Sequence, residues 1–310
     1  MRQIDQVGPE ALPALKETVA RILAEAKQQG ASSCEVAVSL QQGLSTDVRD
    51  GQVETVEFNR DQGFGITLYV GQRKGSASTS ATGEAAIKET VAAALAIARE
   101  TSEDDCAGLP AAELMAKDCA DLDLYHPWAL TPDEAGDWAL RCEQAALAVQ
   151  GDLKSDGVGL STHYACQAYG NSHGFIQGHS STRHSLSCTM IAQGEQTMQR
   201  DYAYDISRVP SLLKAPETIG QEAALKAMRR LGARPIPTCE VPVIFSASIA
   251  TGLLGHFFSA ISGGNQYRKM SFLAGALGEQ VFPDWMQLIE RPHILRGLAS
   301  ARYDADGLAT

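Results

Sequence analysis

Apolar residues recur at helical spacing in four segments of the chain. They predict helices over 11–29, 84–100, 132–150 and 216–231. Gly30 lies where the first helix is expected to end, because glycine readily adopts the left-handed conformation of a helix C-terminus. Thr131 and Pro132 suit the N-cap and first turn of the third helix.

Between these helices, apolar and polar residues alternate, as they do in half-buried strands. The pattern predicts strands over 34–40, 44–49, 52–58, 63–70 and 72–78, and a β-rich stretch over about 151–206. Asp50-Gly51 separates two of the strands and indicates a hairpin turn. The first hundred residues therefore read as a layered α/β domain.

Two stretches interrupt the periodic pattern and divide the chain. Residues 101–123 carry seven Asp or Glu residues, and residues 232–242 carry three prolines. We therefore predict an N-terminal α/β domain over 1–104, a central α/β domain over 105–234, and the start of a C-terminal domain over 235–310.

Composition narrows the class of protein. The 310 residues exceed one typical domain, and 44% apolar with 20% charged residues is typical of a globular chain. The net charge of −11 argues against nucleic-acid binding, which usually needs a basic surface. The seven cysteines form no Cys-x-x-Cys pair and the N-terminus shows no apolar signal core, so we expect a cytoplasmic protein.

Val241–Tyr267 contains no Asp, Glu, Lys or Arg across 27 residues, a length that reaches across a bilayer. Pro242 and the Gly263-Gly264 pair interrupt its hydropathy. We therefore predict a buried strand followed by a buried helix, and no membrane span.

Gly170-Asn171-Ser172-His173-Gly174 matches the Gly-x-Ser-x-Gly pattern of serine hydrolases. That pattern needs a strand before the serine and a helix after it, so that the serine stands at a helix N-terminus. A strand before it is plausible, but an alternating strand follows instead of a helix. The sequence therefore favours a glycine-rich hairpin turn, and a hydrolase using Ser172 is the weaker alternative.

Histidines and cysteines are dense in the same region, which raises the question of a zinc site. Their spacing matches no tight ligand pair, and His179 and His184 point to opposite faces of a continuous strand. We therefore expect a polar sheet surface or a subunit contact. The residues concerned are His163, Cys166, His173, His179, His184 and Cys188.

A further helical pattern lies within the charge-free segment, over 248–262. Ser248, Gly252, Gly255 and Ser259 form one face of this helix, opposite an apolar stripe. Two glycines cost a helix roughly 1 kcal/mol each relative to alanine. We therefore expect this face to accommodate either close packing or a nearby ligand.

Several short motifs, taken together, resemble the TldD/PmbA family, and its PmbA branch (also called TldE) more than its TldD branch. The similarity runs from about residue 30 to the end of the chain. The motifs are Arg49-Asp50-Gly51 with Val53-Glu54 and Phe58-Asn59, Arg73-Lys74-Gly75-Ser76-Ala77-Ser78, Gly170-Asn171-Ser172-His173-Gly174, Ser181-Thr182-Arg183-His184-Ser185, Asp201-Tyr202-Ala203-Tyr204, Tyr267-Arg268-Lys269 and Pro283-Asp284-Trp285.

The resemblance implies an α+β fold, in which layered α/β domains are built around a large mixed, mostly antiparallel sheet. It also implies a metallopeptidase-related protein of the bacterial cytosol. In that family a TldD-like subunit and a PmbA-like subunit form a heteromer that digests unfolded peptides and processes a peptide precursor. The TldD-like subunit holds a divalent metal, such as zinc, with a His-Glu-x-x-x-His helix.

This sequence departs from that metal motif. Thr251 stands in place of the first histidine and Gly252 in place of the glutamate, whereas His256 matches the second histidine. Zinc catalysis needs three protein ligands and a general base. We therefore predict no metal in this chain, a degenerate site at these three positions, and a metal held by a TldD-like partner.

The resemblance also bears on partners and substrate. Tyr267, Arg268 and Lys269 are the predicted peptide-binding residues near the degenerate site. The expected partners are a TldD-like subunit or a second copy of the chain. The family continues beyond the position of Thr310, so an incomplete C-terminal domain with uncovered sheet edges is expected. A binding protein with a regulatory role and no part in proteolysis is the remaining alternative.

Overall fold

The computed structural model describes residues 7–195 and 197–310. These residues group into two compact units. The sheet unit comprises the described residues up to Ala233 together with Arg291–Thr310, and the helical unit comprises Arg234–Glu290. The division into three domains at residues 104 and 234 stays a prediction.

One six-stranded sheet forms the centre of the sheet unit. Its strands are β1 (Ser33–Arg49), β2 (Gln52–Val70), β3 (Arg73–Thr79), β4 (Leu153–Asn171), β5 (Ile176–Gln193) and β6 (Met198–Ser207). They lie in the order β3-β2-β1-β4-β5-β6, and every neighbouring pair is antiparallel. Strands from both sides of the acidic stretch 101–123 therefore share one sheet.

Four helices belong to the sheet unit and two to the helical unit. The first four are α1 (Leu12–Gln28), α2 (Glu84–Glu100), α3 (Pro132–Leu147) and α4 (Pro216–Arg229). The other two are α5 (Ala247–Ile261) and α6 (Gly263–Tyr267), and short 3₁₀ turns lie at Pro9–Ala11, Ala112–Leu114 and Pro210–Leu212. The predicted α+β class is confirmed.

Alternation along the strands places apolar side chains on one face of the sheet, where the helices lie. Val36 and Val38 at one end of β1 belong to a core cluster with α1 and α2. Leu44 and Val48 at its other end belong to a second cluster with α3 and α4. The same face of β1 thus serves two helix pairs.

The strands are longer than the sequence predicted. β1 continues through Gln41, Gln42 and Gly43, where the polar residues suggested a break. A Cβ atom at Gly43 would lie 2.7 Å from the Asn59 Oδ1 atom and 3.2 Å from the Thr162 carbonyl oxygen. Glycine therefore lets β2 and β4 approach β1 closely at this position.

The Asp50-Gly51 hairpin turn is confirmed, and a buried carboxylate holds it. Both residues have positive φ, 51° and 74°, as a type I′ turn requires. Glu143 on α3 is fully buried and accepts hydrogen bonds from the backbone N–H groups of Asp50 at 2.9 Å and Gly51 at 2.7 Å. The turn is thereby fixed to the helix layer.

The predicted start of α3 is also confirmed, and it carries a complete capping box. The Thr131 Oγ1 atom accepts from the Glu134 N–H at 3.2 Å, and the Glu134 carboxylate accepts from the Thr131 N–H at 2.8 Å. Two N–H groups that the helix cannot pair itself are satisfied in this way.

The helical unit differs from the prediction for Val241–Tyr267. The stretch before α5 forms no strand, its residues are exposed, and Ala260 is the one buried residue of α5. The prediction of a buried strand and a buried helix was therefore wrong. The described part of this unit contains no sheet on which α5 could bury its apolar stripe. None of the helices in the described residues is both long and apolar enough to cross a bilayer.

Candidate functional site

The predicted degenerate site lies on α5. Thr251, Gly252 and His256 are all exposed. Gly252 and His256 are four residues apart and share one side of the helix, whereas Thr251 is rotated away from His256. His256 makes no hydrogen bond or ion pair with any described residue, so nothing in this part of the structure fixes its ring.

The Gly/Ser face of α5 is open. No described atom outside the neighbouring helix backbone lies within 4 Å of a Cβ built at Gly252 or at Gly255. The close packing that these glycines suggested is therefore not seen among the described residues.

The donor set on α5 does not fit a catalytic zinc ion. The described residues contain no group of three or more His, Cys, Asp or Glu side chains placed to hold a metal. Around α5 the one imidazole of His256 is accompanied by a hydroxyl and a glycine, which supply neither three ligands nor a carboxylate base. We therefore derive no catalytic step through a metal bound to this chain.

The predicted peptide-binding residues lie at the end of α6, the short helix that follows α5. Tyr267 ends α6, and the Arg268 guanidinium donates to the Asn265 Oδ1 atom at 3.1 Å. Lys269 has a positive φ of 54°, and its N–H donates to the Gln266 carbonyl at 3.0 Å. Tyr267, Arg268 and Lys269 are thus three consecutive exposed residues in one short stretch of the helical unit.

The Gly-x-Ser-x-Gly motif is a hairpin turn, as the sequence favoured. It joins β4 to β5, and Gly174 has a φ of +87°. The Ser172 Oγ atom accepts the Cys34 N–H at 3.1 Å, and the Ser172 N–H donates to the Cys34 carbonyl at 2.9 Å. Ser172 thus ties a turn to β1, and it lacks the following helix that a nucleophile elbow requires. The geometry argues against a hydrolase using this serine.

The histidine and cysteine residues of this region are divided between the two faces of the sheet. His184 is fully buried on the helix-covered face, and its Nε2 atom donates to the His126 carbonyl at 2.9 Å. The His179 ring lies 6.3 Å from that of Tyr303. Burial lowers the pKa of both imidazoles, so they are neutral at physiological pH.

A polar cleft on the other face of the sheet was not anticipated from the sequence. It has a volume of about 440 Å³, and its lining includes Glu35, Thr67, Ser76, Ser78, Tyr169 and Asp306. The Tyr169 hydroxyl donates to Glu35 at 2.9 Å and that of Tyr69 at 3.5 Å. Burial, reinforced by the Glu35 charge, raises the pKa of Tyr69 to about 12. Both tyrosines are therefore hydrogen-bond donors and not bases at neutral pH.

The signal for this cleft was present in the alternation of β1. Glu35 occupies a position between the buried Cys34 and Val36, so strand geometry places it on the opposite face. The strand order, which brings Tyr69 and Tyr169 to either side of it, could not be read from β1 alone.

Three parts of the chain match the models of one protein family. Residues 34–98, 125–231 and 238–310 match the models for domain 1, the central domain and the C-terminal domain of the PmbA/TldA metallopeptidases. The antiparallel sheet with its helical layer and the α5 segment are thus those of a metallopeptidase-related protein.

Curated relatives agree over the whole chain. The chain is 47% identical to Metalloprotease PmbA of Escherichia coli O157:H7 over all of its own length and 69% of that protein. It is also 47% identical to a Metalloprotease PmbA homolog of Haemophilus influenzae, covering 96% of this chain and 66% of that one. The chain belongs to the PmbA/TldD family, and it spans about two thirds of the length of these relatives.

Solved structures share the fold at lower sequence identity. A crystal structure from Bacteroides thetaiotaomicron, provisionally described as a modulator of DNA gyrase, has a TM-score of 0.89 at 23% identity, covering 98% of this chain and 69% of that one. TldE from Thermococcus kodakarensis has a TM-score of 0.71 at 17% identity, and the match covers 94% of this chain and 66% of that one. At these identities the likeness is one of fold.

Proposed function

We propose that this chain is a PmbA/TldE-type subunit without a catalytic metal, which pairs with a TldD-like subunit to process unfolded peptides. The observation that carries the proposal is the donor set of α5. A family of metallopeptidases needs a metal and a base, and the chain offers Thr251, Gly252 and His256 at the positions where the motif requires histidine, glutamate and histidine.

In this proposal the metal and the general base belong to the partner, and this chain supplies binding surface. The exposed turn of Tyr267, Arg268 and Lys269 contacts the peptide near the partner's metal. Two cationic side chains suit carboxylates or backbone carbonyls of an extended peptide. The acidic net charge of the chain is compatible with a basic or neutral peptide and does not by itself select one.

Complex formation is the first test. Size-exclusion chromatography with light scattering of this chain, a TldD-like subunit and their mixture should give a heteromer in the mixture. A stable homodimer that does not exchange with the TldD-like subunit would contradict the proposal.

The peptide contact is tested by charge removal. In the mixture, the double change Arg268→Ala and Lys269→Ala should raise KM for an unfolded peptide several-fold with a smaller change in kcat. The matched control, Arg229→Ala with Arg230→Ala, removes the same charge at the end of α4 and should leave KM unchanged. If the two double variants raise KM equally, the effect comes from the overall charge of the chain and not from a contact between Arg268 or Lys269 and the peptide.

A binding protein without a role in proteolysis predicts a different result. In that case the TldD-like subunit would cleave the peptide equally well with and without this chain, even though the two form a stable complex. Dependence of kcat/KM on added chain therefore separates the two functions.

A further inference from the structure

The outer edge of β2 is unpaired over more than half of its length. β2 has 19 residues, and β3 pairs only with its last part, from Phe64 to Val70. Apart from Glu54, which is left unpaired at a bulge, residues 52–63 pair with β1 on one side, and no described strand lies on their other side. Unpaired strand backbone offers N–H and C=O groups to an incoming strand.

An apolar groove of about 460 Å³ lies beside this edge. Val56 and Phe58 contribute to it and are 47% and 50% exposed. Their register partners on β1 are Thr46 and Leu44, which places them on the helix-covered face. The lining residues, from β1, β2, β4 and the segment before α3, include Leu44, Val56, Phe58, Trp128, Leu130 and Tyr164.

Hydrogen bonds and ring contacts preform the far wall of the groove. The Tyr164 hydroxyl accepts the Trp128 N–H at 3.1 Å and donates to the Trp128 carbonyl at 2.5 Å. The Trp128 ring packs edge-on against the rings of Trp138 and His184, with centroid distances of 5.2 Å and 5.6 Å. A preformed, mostly apolar cavity of this volume is typical of a ligand site, and it is large enough for a bulky side chain.

The charges along the edge select among occupants. Residues 52–63 carry three carboxylates, Glu54, Glu57 and Asp61, and one cation, Arg60. Glu54 lies 3.7 Å from the Arg49 guanidinium, while Glu57 and Asp61 form no ion pair with a described residue. Two copies of this edge would face each other with net negative charge, whereas a basic strand would be attracted.

We propose that residues 52–63 and the adjoining groove bind an extended peptide with basic and large apolar side chains. The peptide adds as a strand to the outer edge of β2, and one apolar side chain enters the groove at Phe58. The proposal rests on the proposed function for its source of peptide and adds a binding site remote in sequence from Thr251–Lys269. Binding here needs neither a metal nor the partner subunit.

The groove is tested by peptide binding to the chain alone. The probe is a fluorescein-labelled ten-residue peptide of alternating Leu and Lys, followed by fluorescence anisotropy. Phe58→Ala should weaken binding about tenfold, which corresponds to about 1.4 kcal/mol, because it removes half-exposed apolar surface from the groove. The matched control is Tyr202→Ala, which removes a similarly exposed aromatic ring (56% exposed) from β6, the opposite edge of the sheet. It should change Kd less than twofold.

Strand addition is tested on the peptide. N-methylation of every second residue removes the hydrogen-bond donors from one edge of an extended peptide and leaves its side chains unchanged. Of the two alternate methylation patterns, one should abolish binding and the other should reduce it much less. Equal binding of both methylated peptides and the parent would overturn strand addition.

The remaining outcomes also decide the matter. Equal effects of Phe58→Ala and Tyr202→Ala would overturn the groove assignment. If Phe58→Ala instead converts a dimer to a monomer in light scattering without changing peptide affinity, a second copy occupies the edge and the proposal fails. These readouts use no cleavage, so they can fail while the chain still supports cleavage by a partner, and they can succeed while it does not.

Discussion

The sheet unit and the helical unit treat the same kind of sequence differently. Both contain helices with apolar stripes, and α5 is more apolar than any of the four helices of the sheet unit. In the sheet unit those stripes are buried, as for Val19 and Ile22 on α1. In the helical unit Ile249 and Leu253 on α5 are 66% and 50% exposed. A helical period is a local property, whereas burial depends on a second surface that the period does not encode.

The contrast extends to polar groups. In the sheet unit, Glu143 and Thr131 satisfy backbone N–H groups of a turn and of a helix N-terminus. In the helical unit, Ser246 precedes α5 without a side-chain cap, which is also true of the residues that precede α1, α2 and α4 in the sheet unit. The difference in burial predicts that stability is concentrated in the sheet unit, and paired substitutions in the two units test this expectation.

The largest effect is expected from paired leucine truncations. Leu186→Ala removes a fully buried side chain from β5 and should lower the free energy of unfolding by about 3–5 kcal/mol. Leu253→Ala, at a half-exposed position of α5, should cost less than about 1 kcal/mol. Urea unfolding followed by tryptophan fluorescence measures both. Equal costs would show that α5 is as well packed as the sheet.

The next effect concerns the buried carboxylate. Glu143→Ala leaves the N–H groups of Asp50 and Gly51 without their acceptor and should cost about 2–3 kcal/mol. The control, Glu54→Ala, removes an exposed carboxylate with an ion pair of 3.7 Å and should cost less than about 0.5 kcal/mol. A neutral result for Glu143→Ala would mean that water satisfies the turn equally well.

A pH dependence should follow from His184. Burial lowers its pKa below the unfolded value of about 6.5. Between the folded and the unfolded pKa, this imidazole is therefore protonated in the unfolded chain and neutral in the folded chain. The stability from this group is therefore fully present above pH 6.5 and is lost as the pH falls toward the folded pKa, by at most about 1.4 kcal/mol per pH unit. In urea unfolding between pH 7.5 and 5.5, His184→Gln should reduce the slope. An unchanged slope would place the dependence on other groups.

The smallest effect compares two helix N-caps. Thr131→Ala removes the capping box of α3 and should cost about 1 kcal/mol. Ser246→Ala removes a side chain that makes no cap bond to α5 and should cost less than about 0.3 kcal/mol. Thermal unfolding by circular dichroism would rank them, and a larger loss for Ser246→Ala would reverse the proposed contrast.

Much of the sheet unit could be predicted from the sequence, because its signals are local. The bounds of α2 at 84–100, the Asp50-Gly51 turn and the Thr131 cap all follow from short-range chemistry. The continuity of β1 through Gly43 could not be predicted, because it depends on neighbours 16 and more than 100 residues away. Helical spacing places Glu143 on the same face of α3 as the buried Ala139 and Ala146. Its bonds to the Asp50-Gly51 turn could not be predicted, because the turn lies more than 90 residues earlier in the chain.

The features of the candidate sites also differ in whether local sequence predicts them. Single positions such as Thr251, Gly252 and His256 can be compared with a motif one by one, because ligand chemistry is fixed by residue type. The polar cleft at Glu35 and the groove at Phe58 depend on strand order, which brings together residues from distant parts of the chain. No short window of sequence contains that information.

The most direct test of the proposed subunit role is the cleavage of one unfolded peptide by this chain alone, by a TldD-like subunit alone, and by their mixture, each with and without a chelator. We expect no cleavage by the lone chain, and chelator-sensitive cleavage by the mixture that exceeds cleavage by the TldD-like subunit alone. Cleavage by the lone chain would contradict it, and would mean that a catalytic centre exists outside Thr251, Gly252 and His256.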